Sequence, residues 1–332
     1  MTRVALVCPG RGSYGREQLR SLGRSPSVDA ADAFRRALGR PTPTELDTSE
    51  TYQSRLHVAG ENASILTATC SLHDADTLRD VSVCCVLGNS MGWYTALAVA
   101  GALPLEDGLR LIETMGQYQA GNVIGGQVLY PLVDEEWRPL PSRELNHCYR
   151  DIEGLYPSIA LGGQVVLGGT NEAVAAATKR LPPRKIGDRD APMLLPLHSA
   201  FHTPLMRPTS ERAFRDLSDL RWQAPRVPLV DGRGAVFRPR HADPGELRDY
   251  TLGHQVVEPY DFTASVRVAL REYAPDALVL LGPGGNLGGP VAQVLIADAW
   301  RGLASKSEFQ RAQKEAPFVI SMARPEQRAL VT

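Results

Sequence analysis

Val81-Ser82-Val83-Cys84-Cys85-Val86-Leu87-Gly88-Asn89-Ser90-Met91-Gly92 is the stretch on which the reading of this chain turns. A run of β-formers leads directly into G-x-S-x-G. An amphipathic helical pattern follows at once: Trp93, Leu97, Val99 and Ala100, closed by Gly101. Strand, G-x-S-x-G and helix in that order form the context of a nucleophile elbow. Both glycines serve a strained turn, because a side chain at either collides with the neighbouring strand or helix. The turn lifts Ser90 out of the sheet and aims the next backbone N–H and the helix N-terminus at an oxyanion formed on it. A Gly-rich β-to-α turn without chemistry spells the same five letters, so the functional reading requires a base from elsewhere.

Outward from the elbow, the pattern is that of an α/β fold. The first strand, Arg3 to Cys8, ends in Pro9-Gly10-Arg11-Gly12-Ser13-Tyr14-Gly15. Helical spacing follows over Ala30–Leu38, then a Pro/Thr-rich loop over Pro41–Thr48 and a helix within 51–72. After the elbow comes a helix over Leu105–Gln119, with Leu109, Ile112 and Met115 at helical spacing. Beyond Gly121 the order becomes strand (Gly125–Val133), polar helix (Ser142–Arg150) and two short strands (Pro157–Leu161, Gln164–Leu167). A helix (Asn171–Leu181, with Asn171 as N-cap) and a strand (Met193–Leu197) complete it. β-α-β-β-α-β is the ferredoxin-like arrangement. The expected organisation is a discontinuous large α/β domain, 1–123 and 197–302, with a ferredoxin-like subdomain, 124–196, inserted and a tail at 303–332. Within the resumed large domain, Arg226–Leu229 and Ala277–Leu281 read as strands and Pro259–Arg271 as a helix.

Bulk properties exclude more than they assign. Lysine plus arginine number 36 against 37 aspartate plus glutamate, so no net charge points to nucleic acid or an anionic membrane. No stretch approaches the roughly 20 apolar residues of a membrane span. Met1-Thr2-Arg3 leads straight into a strand without a secretory pattern, which gives a cytoplasmic expectation. Cys8, Cys70, Cys84, Cys85 and Cys148 lack metal spacing and read as small hydrophobes; no metal is expected. Of seven histidines, at 57, 73, 147, 198, 202, 241 and 254, His202 stands out. It follows a β-like run in Leu195-Pro196-Leu197-His198-Ser199-Ala200-Phe201-His202-Thr203-Pro204-Leu205-Met206, whose prolines fix its path. It is either the base for Ser90 or a buried structural histidine.

The chain resembles the malonyl-CoA:acyl-carrier-protein transacylases and the acyltransferase domains of polyketide synthases. The matching landmarks, in order, are Pro9-Gly10-Arg11-Gly12-Ser13, the elbow at 88–92, Gly163-Gln164-Val165-Val166, Phe201-His202-Thr203-Pro204-Leu205-Met206 and Gly282-Pro283-Gly284. They span about residues 3 to 300. The resemblance implies an α/β-hydrolase-like large domain with a parallel sheet, carrying the inserted subdomain. It implies Ser90 as nucleophile, His202 as general base, and backbone N–H groups of Met91 and Arg11 as the oxyanion hole. No bound cofactor is implied; the implied partners are an acyl carrier protein, a coenzyme A thioester, or both. A monomer is expected. Arg207 and Arg212 are candidates for docking an acidic carrier protein.

Five positions depart from the family pattern, and those in the pocket shape the expected substrate. Arg11 stands where glutamine is usual. Met115 occupies the position of the arginine that holds a malonyl carboxylate, and a thioether cannot replace that bidentate pair. The expectation is therefore a non-malonyl, neutral acyl group with apolar bulk; a shifted frame makes Arg110 the clamp instead. Asn89 replaces the histidine beside the nucleophile, and Ala160 replaces a common asparagine. With Met115 and Phe201 these form the expected substrate pocket. Asp261 is placed either to bond the ring of His202 and complete a Ser-His-Asp triad, or to start a helix.

Rival readings share parts of this pattern. Gly10-Arg11-Gly12-Ser13-Tyr14-Gly15 satisfies the dinucleotide fingerprint formally, but no second strand with an acidic end follows within about 20 residues. An acyl-carrier-protein hydrolase uses the same acyl-serine and lets water take the acyl group. A malonyl transacylase fits the same landmarks, and so does a non-catalytic carrier-protein-binding module. The leading reading is a freestanding acyltransferase of polyketide or related specialised-metabolite assembly.

Overall fold

The computed structural model describes residues 1–141 and 149–332; most of the expected Ser142–Arg150 helix, and Cys148, lie outside the described residues. A six-stranded sheet forms the centre. Its order is Val236–Phe237, Leu229–Val230, Val81–Gly88, Thr2–Cys8, Ala277–Leu280 and Val319–Ser321. Every neighbouring pair is parallel except the first, which is a short antiparallel edge. Parallel strands covered on both faces should be apolar throughout, and Val4, Ala5, Leu6, Val7, Cys85, Val86, Leu87 and Leu278 are all at most 2 % exposed.

The chain winds from Thr2–Cys8 to Val81–Gly88 on one side, and later places Ala277–Leu280 on the other. Where winding reverses, the loops at the carboxyl ends of neighbouring strands diverge and leave a crevice. The loop after Cys8, the elbow and the loop after Leu280 all open there. No strand lies between Cys8 and Val81, so the dinucleotide fingerprint lacks its partner strand.

The second sheet has the order Tyr260–Asp261, Leu155–Leu161, Gln164–Gly169, Gly126–Pro131 and Met193–Leu194. Its last four strands pair antiparallel in ferredoxin-like order. The fifth, Tyr260–Asp261, joins in parallel from far along the chain.

Several local expectations are corrected. The Pro41–Thr48 loop contains a helix, Pro43–Asp47. Thr42 accepts from Glu45 N–H, and the Glu45 side chain accepts from Thr42 N–H; this capping box overrides the loop-like composition. The N-cap of helix Asn171–Arg180 is Thr170, whose hydroxyl accepts from Ala173 N–H at 3.1 Å, and not Asn171. The helix expected over 51–72 is divided into a single turn, Ser54–His57, and a long helix, Gly60–Thr77. The tail beyond about Gly302 reads in sequence as either an appended helix or loose; Lys306–Glu315 is helical, and Val319–Ser321 adds the outer strand of the central sheet. Arg328 then pairs with Asp74, which also accepts from Gly282 N–H at 2.7 Å, tying the end of the chain to the loop after Leu280.

Candidate active site

The elbow is built as its glycines require. A Cβ on Gly88 would lie 2.3 Å from the Gly92 carbonyl, and one on Gly92 would lie 2.2 Å from the Cys8 carbonyl oxygen. Neither neighbour is a side chain that can swing away. Ser90 sits in the left-handed region at φ +55°, a conformation that a non-glycine residue adopts only when its surroundings impose it.

His202 reaches the same point from the other side of the crevice, also left-handed at φ +62°. Ser90 Oγ lies 2.7 Å from His202 Nε2. The imidazole is fully buried, and burial pulls its pKa down to about 4, so it is neutral at pH 7. Its Nδ1 lies 2.6 Å from the Gln255 carbonyl oxygen. A carbonyl only accepts, so Nδ1 carries the proton and Nε2 keeps its lone pair for the serine hydroxyl. That is the tautomer a general base needs.

Gln255 is the residue that sequence reading missed. It follows one turn of π-helix, Tyr250–His254, a geometry concentrated at functional sites. While its carbonyl holds the histidine, its side-chain amide donates to the Ser90 carbonyl at 3.1 Å and accepts from the Tyr94 hydroxyl at 2.8 Å. One glutamine thus ties base, nucleophile and elbow helix together. Its sequence neighbourhood carries only a weak signal, a polar pair His254-Gln255 inside an apolar run.

Asp261 does not orient the ring. Its carboxylate accepts from Ala264 N–H at 2.7 Å and caps helix Phe262–Tyr273, so of its two expected roles the helix start is the observed one. The small sheet and the segment leading into it also hold the histidine segment. Ser158 Oγ donates to the Phe201 carbonyl at 2.9 Å, Gln127 Nε2 donates to it at 3.2 Å, and Ala200 N–H donates to the Ile124 carbonyl at 2.7 Å.

A cavity of about 1360 Å³ surrounds Ser90. Of the expected pocket residues Asn89, Met115 and Phe201 line it, as do Arg11 and Met91. Ala160 does not. Its strand neighbours Ile159 and Leu161 face the cavity, and strand alternation turns Ala160 to the opposite face. Met115 is buried in the wall at 3 % exposure. Arg110 is no clamp: it points outward, pairing with Asp219 at 2.7 Å and donating to the Asp216 carbonyl at 3.0 Å. Arg212 lies over the Tyr118 ring at 4.3 Å and pairs with Asp216.

The pocket wall also carries a cation, where the expected acyl group was neutral. The side chain of Arg11 is packed beside the N-terminus of helix Gly60–Thr77, where burial pulls its pKa down to about 10 and Glu61 partly opposes the shift. Its Nη2 donates to the Leu197 carbonyl. His198 nearby is pushed well below the ordinary histidine value by burial and by the Arg11 charge.

An elbow serine bonded to a buried, neutral histidine at the carboxyl edge of a parallel sheet is an arrangement suited to acyl transfer through the serine. The comparisons with known proteins agree. A malonyl CoA-acyl carrier protein transacylase from Salmonella typhimurium is 26 % identical over 319 residues, covering 89 % of this chain and 94 % of that one. The polyketide biosynthesis protein ThaF of Burkholderia thailandensis is 28 % identical over 200 residues, which is 60 % of this chain and 16 % of the longer protein. The solved malonyl CoA-acyl carrier protein transacylase of Coxiella burnetii superposes with a TM-score of 0.76 at 21 % identity, covering 99 % of this chain and 97 % of that one. No family model matches. The chain is thus similar over most of its length to malonyl-CoA:acyl-carrier-protein transacylases, and over a shorter stretch to polyketide biosynthesis proteins.

Among the described residues no helix is long and apolar enough to cross a membrane.

Proposed function

We propose that this chain is an acyltransferase that moves an acyl group through an acyl-Ser90 ester between two phosphopantetheine thioesters, one of them on an acyl carrier protein. The carrying observation is the 2.7 Å contact between Ser90 Oγ and a His202 whose other nitrogen is fixed as a donor. As Oγ attacks the thioester carbon, His202 Nε2 takes the hydroxyl proton. The carbonyl electrons move onto oxygen, held by the backbone N–H groups of Met91 and Arg11. Collapse breaks the C–S bond, and the imidazolium returns its proton to the departing thiol. The second thiol reverses these steps, giving ping-pong kinetics.

The acyl group is read as one other than malonyl. Support comes from Met115, whose thioether lines the wall where the family resemblance places a carboxylate-pairing arginine. Coenzyme A thioesters and an acyl carrier protein are the reactants, with the setting a cytoplasmic polyketide or related specialised pathway. The Salmonella and Burkholderia relatives carry the carrier protein or polyketide biosynthesis in their own names.

Intact-protein mass spectrometry after incubation with acyl-CoA and acyl-carrier-protein donors tests the proposal, with Ser90→Ala as control. A Ser90-dependent adduct that moves to a second carrier protein is the expected result. An adduct that decays to free acid with the acceptor present makes the chain a hydrolase. No adduct from any donor overturns the catalytic reading in favour of a carrier-protein-binding module.

A further inference from the structure

Tyr260 touches both halves of the catalytic pair without lining the cavity. It is 1 % exposed, and its ring centroid lies 5.4 Å from that of the His202 imidazole, the two planes tilted by 57°. Its hydroxyl donates to the Gly88 carbonyl at 2.5 Å. That carbonyl ends strand Val81–Gly88, two residues before Ser90. Burial raises the phenol well above its ordinary pKa, so the hydroxyl stays protonated and remains a donor.

The ring is itself held in place. Tyr260 opens the edge strand of the small sheet, opposite Ile159. The next residue, Asp261, donates its N–H to the Gly232 carbonyl at 2.6 Å, and Gly232 N–H donates to the Tyr250 hydroxyl at 2.7 Å. A Cβ on Gly232 would lie 2.5 Å from the Tyr260 ring, so glycine leaves the space that the ring fills.

The catalytic pair depends on such support. Ser90 and His202 both stand in the left-handed region, and backbone of that kind persists only where its surroundings over-determine it. The imidazole has no carboxylate behind it: its nitrogens meet Ser90 Oγ at 2.7 Å and the Gln255 carbonyl at 2.6 Å. Two contacts define a line through the ring, about which the imidazole can tip. A third contact off that line fixes its plane, and a packed aromatic ring supplies one.

We infer that Tyr260 is a positioning residue for acyl transfer: its ring fixes the plane of the His202 imidazole, and its hydroxyl fixes the strand end from which Ser90 projects. This rests on the acyl-Ser90 reading and adds a residue to it. The edge strand of the small sheet thereby aligns the nucleophile and base of the large domain.

The test is Ser90 acylation by acetyl-, malonyl- and hexanoyl-CoA in wild type, Tyr260→Phe and Tyr260→Leu. Rates are expressed per active site, counted by exhaustive fluorophosphonate labelling, with a thermal melt of each protein. Misplacing reacting groups by about 1 Å costs on the order of 100-fold, so Tyr260→Leu should lower kcat by roughly 10- to 100-fold. KM for the donor should stay within about twofold, because no binding contact is removed. Tyr260→Phe keeps the ring and should lose only about three- to tenfold with the hydroxyl. The initial rate of fluorophosphonate labelling needs the same pair but no thioester, and should fall in the same order.

An unchanged kcat per active site in Tyr260→Leu, with only the melting temperature lowered, overturns the inference and leaves Tyr260 a core residue. So does a raised KM at unchanged kcat, the mark of a substrate wall. If Tyr260→Leu yields no countable sites, Tyr260→Met, which refills the space with a flexible chain, is judged by the same two outcomes. Fluorophosphonate labelling of wild type without acylation by any donor overturns the acyl-transfer proposal alone, and the labelling rates then decide the inference.

Discussion

The two walls of the cavity differ in how their polar groups are met. Around Ser90 and His202 the polar atoms are closely partnered: Nε2 by the serine, Nδ1 by the Gln255 carbonyl, and the Gln255 amide by Ser90 and Tyr94. On the acyl side two polar atoms, Arg11 Nη1 and Asn89 Oδ1, are buried without partners. Leaving such a group unmet costs a folded chain about 1–3 kcal/mol. One wall is preorganised for a reaction common to many substrates. The other leaves those two polar atoms unpartnered.

Substitutions on the catalytic wall should have the largest effects. His202→Ala deletes the base and should lower the acylation rate by at least ~10⁴-fold while leaving donor binding measurable by calorimetry. A loss below tenfold would mean that the 2.7 Å contact is structural. Gln255→Ala keeps the carbonyl that holds Nδ1 but cuts the ties to Ser90 and Tyr94. A fall in kcat of roughly 10- to 100-fold is expected from the misplaced pair, with KM for the donor changing less. Equal effects on kcat and KM would place Gln255 on the substrate wall instead.

The pH profile sharpens the contrast further. Burial disfavours the imidazolium, so the acid limb of kcat/KM should fall near pH 4 and not near the ordinary histidine value. The same group makes folding pH-dependent. In the fold it stays neutral down to about 4, whereas the unfolded chain binds its proton from 6.5 downward, so stability declines as pH falls across that interval. Asp74, raised to about 6 by burial, acts with the opposite sign between about 6 and 3.8 because the fold binds its proton first. Thermal melts from pH 7 to 4 on wild type and His202→Gln would separate the two. The smallest effect belongs to Asp261→Asn: an asparagine also caps a helix, so the rate should stay within about twofold. A loss of 100-fold would restore the triad that the Gln255 carbonyl replaces.

What is legible in the sequence follows physical lines. The elbow is legible because its strain demands glycine at two fixed positions, and the apolar strand and amphipathic helix flank it directly. The small sheet is legible from its alternation of short strands and helices. Three differences between expectation and structure share one cause, a dependence on contacts distant in sequence. Val319–Ser321 carries little periodicity of its own and becomes a strand because the edge Ala277–Leu280 offers it hydrogen bonds. Ala160 matches a motif position, but strand alternation decides which face it takes. Asp261 is a polar residue near the right place, while the group that meets the ring is a backbone carbonyl, which every residue possesses.

Sequence by itself determined the elbow, the α/β character and the candidate Ser90, since these depend on local periodicity and on the steric uniqueness of glycine, while the parallel sheet and the role of His202 came from the family resemblance. Only the tertiary structure decided that His202 meets Ser90, that Gln255 fixes its tautomer, and that Arg11 and Met115 share the pocket wall. Such facts are distances between residues up to 165 positions apart, and burial, which sets the charge of the histidine, belongs to the packed chain alone.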